Sequence, residues 1–147
     1  MALFSFFRGR PMGPKTPADV RMTWRVVKID GPIRKEVGLK AELGVVISSD
    51  AMLEMAQTIL FCPLLTGEDK PQQMMPWHVA VVLEGAPGGP PPPFVEGIVS
   101  TKVVLPITLD EVDIDQKDRG RLDRASRERV YACLKRWLPP AAGGLRA

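Results

Sequence analysis

The sequence predicts a small, mostly β (α+β) domain with a barrel-like sheet, a short internal helix and an amphipathic helix near the C-terminus. Short runs of β-branched and aromatic residues, separated by Gly, Pro and polar breaks, indicate five or six strands. Near the end of the chain, apolar residues recur at the spacing of one face of an α-helix. A chain of 147 residues has room for one domain with one modest core.

The order of the predicted elements follows from these runs and their breaks. Strands are predicted over residues 23–30, 43–48, 58–65, 78–83 and 94–99, the last continuing through 100–102 into 103–105. Pro106 then marks an edge or a bend. Asp50 is predicted to cap a short helix over residues 50–57, because good helix formers follow it.

Two further segments shape the second half of the chain. A helix is predicted from Asp123 or Ser126 to about Leu138, ended by two prolines. Its apolar face consists of Val130, Cys133, Leu134, Trp137 and Leu138. The proline-rich loop 86–93 is predicted to be a stiff connector between strands. A polyproline II segment that docks in an aromatic groove is the alternative.

The chain is expected to divide into an extension, a domain and a tail. We interpret residues 1–21 as an extension outside the core, in part disordered, residues 22–138 as the domain and residues 139–147 as a loose tail. No apolar run approaches the about 20 residues that cross a bilayer, so no membrane partner is expected. The apolar start is short and its positive charges follow it, which favours a cytoplasmic location.

Charge is distributed unevenly along the chain. Residues 1–40 and 116–147 each carry nine Lys/Arg against three Asp/Glu, whereas residues 41–115 carry two against eleven. Basic flanks around an acidic middle favour a polyanion or an acidic peptide as partner. Solvated tails and one solvated helix face are the alternative interpretation.

The residues that bind metals or form disulfides are few. Cys62 and Cys133 lie far apart without a CxxC partner, and His78 is the single histidine. We therefore expect no disulfide framework, no metal site and no cofactor, and we expect both cysteines to be small buried hydrophobes.

Several motifs occur in an order that resembles one known family. They are Lys-Ile-Asp at 28–30, a charged loop with Glu36, GVVISSD at 44–50, ILFCPLLT at 59–66, PWHV at 76–79, GIVSTK at 97–102 and the late LKRWL helix. Together they resemble, over residues 22–138, the MazF/PemK toxins of toxin–antitoxin systems, whose SH3-like barrel is shared with the CcdB toxins. The resemblance implies a homodimer that cleaves single-stranded RNA by 2′-hydroxyl attack without a metal. It also implies an acidic antitoxin protein that silences this activity.

The resemblance also implies the site. The family uses an Arg before the second strand and a Thr or Ser after the third. Glu42-Leu43 stand here where the family has Arg-Pro, or Ala41 does if the alignment is anchored on Glu36, so Lys40 is the nearest cation. Thr66 lies one residue beyond the family position at Leu65. Lys40 and Thr66 are the predicted catalytic residues. The predicted RNA-binding residues are Arg34, Lys35, Glu36, Ser100 and Lys102.

A protein that binds without cleaving is the alternative on the same scaffold. It would be a CcdB-like topoisomerase inhibitor or a degenerate relative. The replaced Arg and the displaced Thr favour this alternative, whereas the strand motifs favour an RNA-cleaving toxin. An assay of RNA cleavage separates the two.

Overall fold

A computed structural model describes residues 22–29, 34–35, 40–86, 88–89, 91–108, 112–113 and 119–138. The predictions made for residues 1–21, for residues 139–147 and for Glu36 lie outside these ranges. The strands are β1 Val26–Ile29, β2 Leu43–Val46, β3 Thr58–Leu65, β4 His78–Glu84, β5 Glu96–Ser100, β6 Leu105–Thr108, β7 Val112–Asp113 and β8 Arg121–Leu122. The helices with described bounds are α1 Asp50–Ala56, a 3₁₀ turn Gly67–Asp69 and α2 Arg124–Arg136.

All eight strands belong to one antiparallel sheet in the order β7-β1-β2-β3-β5-β4-β8, with β6 paired to β3 beside this path. The sheet then turns back on itself. Arg121 bridges to Arg25, and the backbone N–H of Val26 donates to the carbonyl of Gly120 at 2.9 Å. This closure produces the predicted small barrel, in which few strand edges remain open.

Apolar side chains on the two faces of the sheet form two clusters. One lies between the sheet and α1, and it contains Met22, Val27, Ile29, Val46, Leu53, Ile59, Phe61 and Ile107. The other fills the barrel beneath α2, and it contains Val26, Val45, Cys62, Leu64, Val79, Val81, Leu83, Val99, Leu122, Val130 and Cys133. Each large side chain buried in this way stabilises the fold by about 1.5–3 kcal/mol before entropy is considered. The predicted burial of both cysteines is confirmed.

Helix α1 occupies the predicted segment, but its cap differs from the prediction. Ser49 is the N-cap, and its hydroxyl accepts from the Met52 N–H. Asp50 instead accepts from the backbone N–H groups of Met22 at 2.9 Å and Thr23 at 3.3 Å. A carboxylate one residue inside the helix is free to reach another segment, so Asp50 fastens the chain before β1 to α1.

The predicted strands appear in the predicted order, with shifts at their ends, but the short strands β7 and β8 were not predicted. β3 has the predicted bounds, whereas β1 is shorter because Trp24 has a φ of 68°, outside the extended region. Phe94 lies before β5 and not within it, and a turn at Thr101–Lys102 separates β5 from β6. Pro106 lies in β6, which among the described strands pairs with β3 alone, so of the two predicted alternatives, an edge or a bend, the structure shows the edge.

Helix α2 begins where predicted and ends earlier. Asp123 is the N-cap, and its carboxylate accepts from the Ser126 N–H at 2.8 Å. Val130 and Cys133 pack into the barrel cluster, but Trp137 and Leu138 are 53% and 64% exposed. The helix ends at Arg136, so the last two residues of the predicted apolar face lie beyond it and are largely exposed, with the Trp137 Nε1–H donating to Thr101 Oγ1 at 3.3 Å.

Candidate functional site

A cleft of about 260 Å³ opens at one end of the barrel. We call it the Thr66 cleft, because Thr66 follows the strand at its centre. It is lined by Lys28, Glu42, Leu43, Leu64, Thr66, Asp69, Pro93, Phe94 and Arg119. Two cations, two carboxylates, a hydroxyl and an aromatic ring therefore meet in one depression.

The floor of the Thr66 cleft is set by strand register. Lys28 of β1 lies opposite Leu43 of β2, which lies opposite Leu64 of β3. Residues directly opposite on neighbouring strands share a face, and Leu64 belongs to the barrel cluster. Lys28 therefore occupies an inward position at the point where the barrel opens to solvent.

Thr66 continues the inward face of β3. It lies two residues after Leu64 and keeps an extended backbone, with φ of −129°, so its side chain follows the same alternation. Leu65 points to the other face, which places the hydroxyl and not Leu65 in the cleft. The Thr66 side chain makes no capping hydrogen bond to the 3₁₀ turn that follows it.

The turn after Thr66 supplies a carboxylate. The Asp69 backbone N–H donates to the Thr66 carbonyl at 2.9 Å, so both residues belong to one tight turn. Across the cleft, Glu42 faces Arg34, with 3.9 Å between Oε1 and Nη2. Asp69 is thus the carboxylate that is held beside Thr66, whereas Glu42 lies beside the Arg34 guanidinium.

The outer wall carries the aromatic ring and the second cation. Pro92 packs onto Gly120, since a Cβ built on Gly120 would lie 2.9 Å from Pro92 Cβ. This contact brings Pro93–Phe94 beside Arg119, the residue before Gly120. The Val95 carbonyl also accepts from the Leu83 N–H at 2.8 Å, so the segment is fastened on both sides of Phe94.

The structure places the residues predicted from the sequence in different regions. Thr66 lies in the cleft, and Arg34 is linked to it through Glu42. Lys35 and Lys40 are exposed, and neither lines the cleft. Lys40 lies two residues before Glu42, so it is a neighbour of the cleft in sequence.

Ser100 and Lys102 lie at and just beyond the C-terminal end of β5, away from the part of this strand that faces the cleft. Ser100 is opposite His78 on β4, and the Lys102 ammonium sits 4.7 Å from the centroid of the Trp77 ring. Gly97 is the β5 residue beside Thr66, with 3.2 Å between its hypothetical Cβ and Thr66 Cγ2. The structure therefore does not bring Ser100 and Lys102 together with Thr66.

Sequence reasoning missed Lys28, Asp69, Phe94 and Arg119. A signal existed for Lys28, because it interrupts an apolar strand two residues after Val26, which faces the core. Asp69 and Arg119 carried no such signal, since a tight turn and a sheet closure bring them to the cleft. Phe94 was interpreted as the first residue of a strand.

A second groove, of about 530 Å³, runs between β4 and α2. Its lining includes His78, Cys133, Arg129 and Arg136. Burial lowers the pKa of His78 below its usual value, and its Nδ1 accepts from the Met75 N–H at 3.0 Å. The Arg129 guanidinium donates to the Ala80 carbonyl at 3.0 Å and so covers the free edge of β4.

Among the described residues, no group of three or more His, Cys, Asp or Glu side chains is arranged to hold a metal ion. No helix in the described part of the chain has the length and apolarity to cross a membrane.

Comparison with known proteins supports the fold. No protein-family model matches the sequence, and no curated protein matches it. An endoribonuclease in complex with its cognate antitoxin, from a mycobacterial species, is similar in structure, with a TM-score of 0.57, 17% identity, and coverage of 82% of this chain and 100% of that one. A second mycobacterial endoribonuclease has a TM-score of 0.54, 17% identity, and coverage of 78% and 88%. The predicted barrel is confirmed, and these endoribonucleases share it.

Proposed function

We propose that this chain is the toxin of a toxin–antitoxin pair, a MazF/PemK-type endoribonuclease that cleaves single-stranded RNA without a metal. One observation carries the proposal: the Thr66 side chain enters a cleft that also contains Lys28, Arg119 and Asp69. The fold that this chain shares with two endoribonucleases supports the same activity.

The proposed mechanism assigns one role to each of these groups. Lys28 and Arg119 bind the scissile phosphate and stabilise the negative phosphorane. Asp69 takes the proton of the ribose 2′-hydroxyl, and the 2′-oxygen attacks phosphorus. The bond to the 5′-oxygen breaks, and the Lys28 ammonium gives that oxygen its proton. The products are a 2′,3′-cyclic phosphate and a 5′-hydroxyl.

Arg119 takes over the role of the arginine that the family carries before its second strand. Its guanidinium can hold a phosphate with two parallel hydrogen bonds, which a lysine cannot do. Thr66 donates its hydroxyl to a non-bridging phosphate oxygen, because no helix cap engages that side chain. The catalytic role of Lys40 and the RNA contacts of Arg34, Lys35, Glu36, Ser100 and Lys102 stay predictions.

The test is incubation of the purified protein with mixed-sequence RNA in EDTA, followed by sequencing of the ends. Discrete cuts with cyclic-phosphate and 5′-hydroxyl ends are expected. Lys28→Met and Arg119→Met should each abolish most of the cleavage, with Lys135→Met, a lysine on the exposed face of α2, as the matched control. Loss of cleavage in Lys40→Ala with full activity of Lys28→Met would move the site to the residue that the sequence suggested.

An acidic antitoxin and a second copy of the chain are the proposed protein partners. The exposed face of α2 carries Arg124, Lys135 and Arg136 against one acid, Glu128, and this excess of positive charge suits an acidic segment. We expect a Glu-rich peptide to bind at low salt and to be released at high salt. Light scattering at micromolar concentration tests the homodimer. A mass equal to that of one chain would contradict it.

A non-catalytic binding protein is the second candidate function. Glu42 favours it, because this carboxylate lines the cleft where the family has an arginine. A folded protein that leaves RNA intact under the conditions above would establish this alternative.

A further inference from the structure

We propose that Phe94 is a stacking platform for one unpaired base of the RNA strand that enters the Thr66 cleft. The inference rests on the proposed function, since it concerns the RNA that would be cleaved there. Phe94 belongs to the wall of the cleft, and no step of the proposed reaction is assigned to it.

The position of Phe94 is the first observation. Its side chain is 40% exposed and lines the same cleft as Lys28 and Arg119. Among the groups of this cleft, the two cations can hold phosphates and the ring offers a π-face for a base, and these two features together bind single-stranded nucleic acid. A base paired in a duplex has its faces covered by its neighbours, so only an unstacked base can lie on this ring.

The rigidity of the segment is the second observation. Proline at 91, 92 and 93 restricts the backbone before Phe94. Pro92 is seated on Gly120, and the Val95 carbonyl is bonded to Leu83. Because the backbone is already held, little freedom is lost when a base settles on the ring, and preorganisation of this kind favours binding.

Phe94 differs in position from its neighbour Val95, and this difference indicates what Phe94 does. Val95 is 70% exposed but does not line the cleft. A single exposed apolar side chain needs no explanation. An aromatic side chain that lines a cleft with two cations, next to an apolar residue that does not line it, points to a ligand with a flat apolar face.

The experiment measures binding of a fluorescent 2′-O-methyl RNA of mixed sequence, which lacks the attacking hydroxyl, both as a single strand and annealed to its complement. Phe94→Ala should weaken single-strand binding about tenfold and leave the weak duplex binding unchanged. Phe94→Trp should restore single-strand binding, and its added fluorescence should be quenched by the strand. Val95→Ala is the matched control and should behave as the wild type.

The outcomes separate the two proposals. Phe94-dependent binding of the single strand, without cleavage of ordinary RNA, would support the platform and refute the nuclease. Cleavage with unchanged binding by Phe94→Ala would refute the platform alone. Two further results for Phe94→Ala would also refute the platform. Equal losses of binding to single strand and duplex would show a role in charge or folding. A changed protein mass in light scattering would show a role in assembly. Binding of neither probe by the wild type would refute both.

Discussion

Pro92 and Gly120 are in direct contact, and this contact joins the proline-rich segment to the strand that closes the barrel. Gly120 has a φ of +96°, and an added Cβ would lie 2.9 Å from Pro92 Cβ and 3.1 Å from the Glu84 carbonyl oxygen. The absence of a side chain at Gly120 thus holds Phe94 and Arg119 on one wall of the cleft.

Gly120→Ala should therefore destabilise the protein and disturb the cleft. The left-handed φ costs about 1 kcal/mol or more, and overpacking adds about 1–3 kcal/mol. Gly67→Ala is the control, because Gly67 also has positive φ but open space around it. Urea denaturation should show a larger loss of unfolding free energy for Gly120→Ala than for Gly67→Ala. Equal losses would show that Pro92 moves to make room without an energetic penalty.

Thr66→Val should slow RNA cleavage and leave the fold intact. Valine keeps the shape of threonine but cannot donate a hydrogen bond to the phosphate. Loss of one such donor lowers the rate by about 10²–10³-fold. The control is Thr58→Val at the other end of β3, where the hydroxyl donates to the Ala56 carbonyl. Single-turnover cleavage should separate the two variants, and equal rates would remove Thr66 from the site.

Ser126→Ala should destabilise the contact between α2 and β4. Ser126 is fully buried, and its hydroxyl accepts from the Val82 N–H at 2.8 Å and from Arg129 at 3.1 Å. A buried N–H left without a partner costs about 1–3 kcal/mol. Denaturation of Ser126→Ala should show this loss, whereas Ser49→Ala, an exposed cap, should lose about 1 kcal/mol. A neutral Ser126→Ala would mean that water replaces the hydroxyl.

Stability should fall in acid through Asp123. Its hydrogen bonds to Ser126 lower the pKa of Asp123 below its usual value of 3.8. For a lowered carboxyl pKa, the stabilisation is fully present above the unfolded-state value and is lost as the pH falls through the folded-state value. Melting temperatures between pH 5 and pH 2.5 should therefore fall less steeply for Asp123→Asn than for the wild type. Parallel curves would assign the acid sensitivity to other groups.

The sequence was sufficient for the elements whose signals are local. β3 was predicted at its observed bounds, because one continuous apolar run is flanked by polar residues. The N-cap of α2 was one of two alternatives, and capping chemistry depends on neighbours in sequence. The ends of β1 and α2 were less predictable, since a left-handed Trp24 and an exposed Trp137 depend on tertiary contacts.

The candidate site was only partly predictable for a similar reason. Thr66 was predicted from the family resemblance, and it lines the cleft. Arg119 and Phe94 lie in segments far apart in sequence, and one glycine–proline contact brings them together. Periodicity reports on one element at a time, so it cannot show which loops meet at the mouth of a closed sheet.

Closure of the barrel between Arg25 and Arg121 has a consequence for the order of folding. The first and last strand segments must find each other across nearly the whole domain, a non-local pairing of the kind that slows folding. During synthesis, the sheet stays open until residue 121 has left the ribosome. Until then the growing chain carries an unclosed edge, and the cleft lacks Arg119 on its wall.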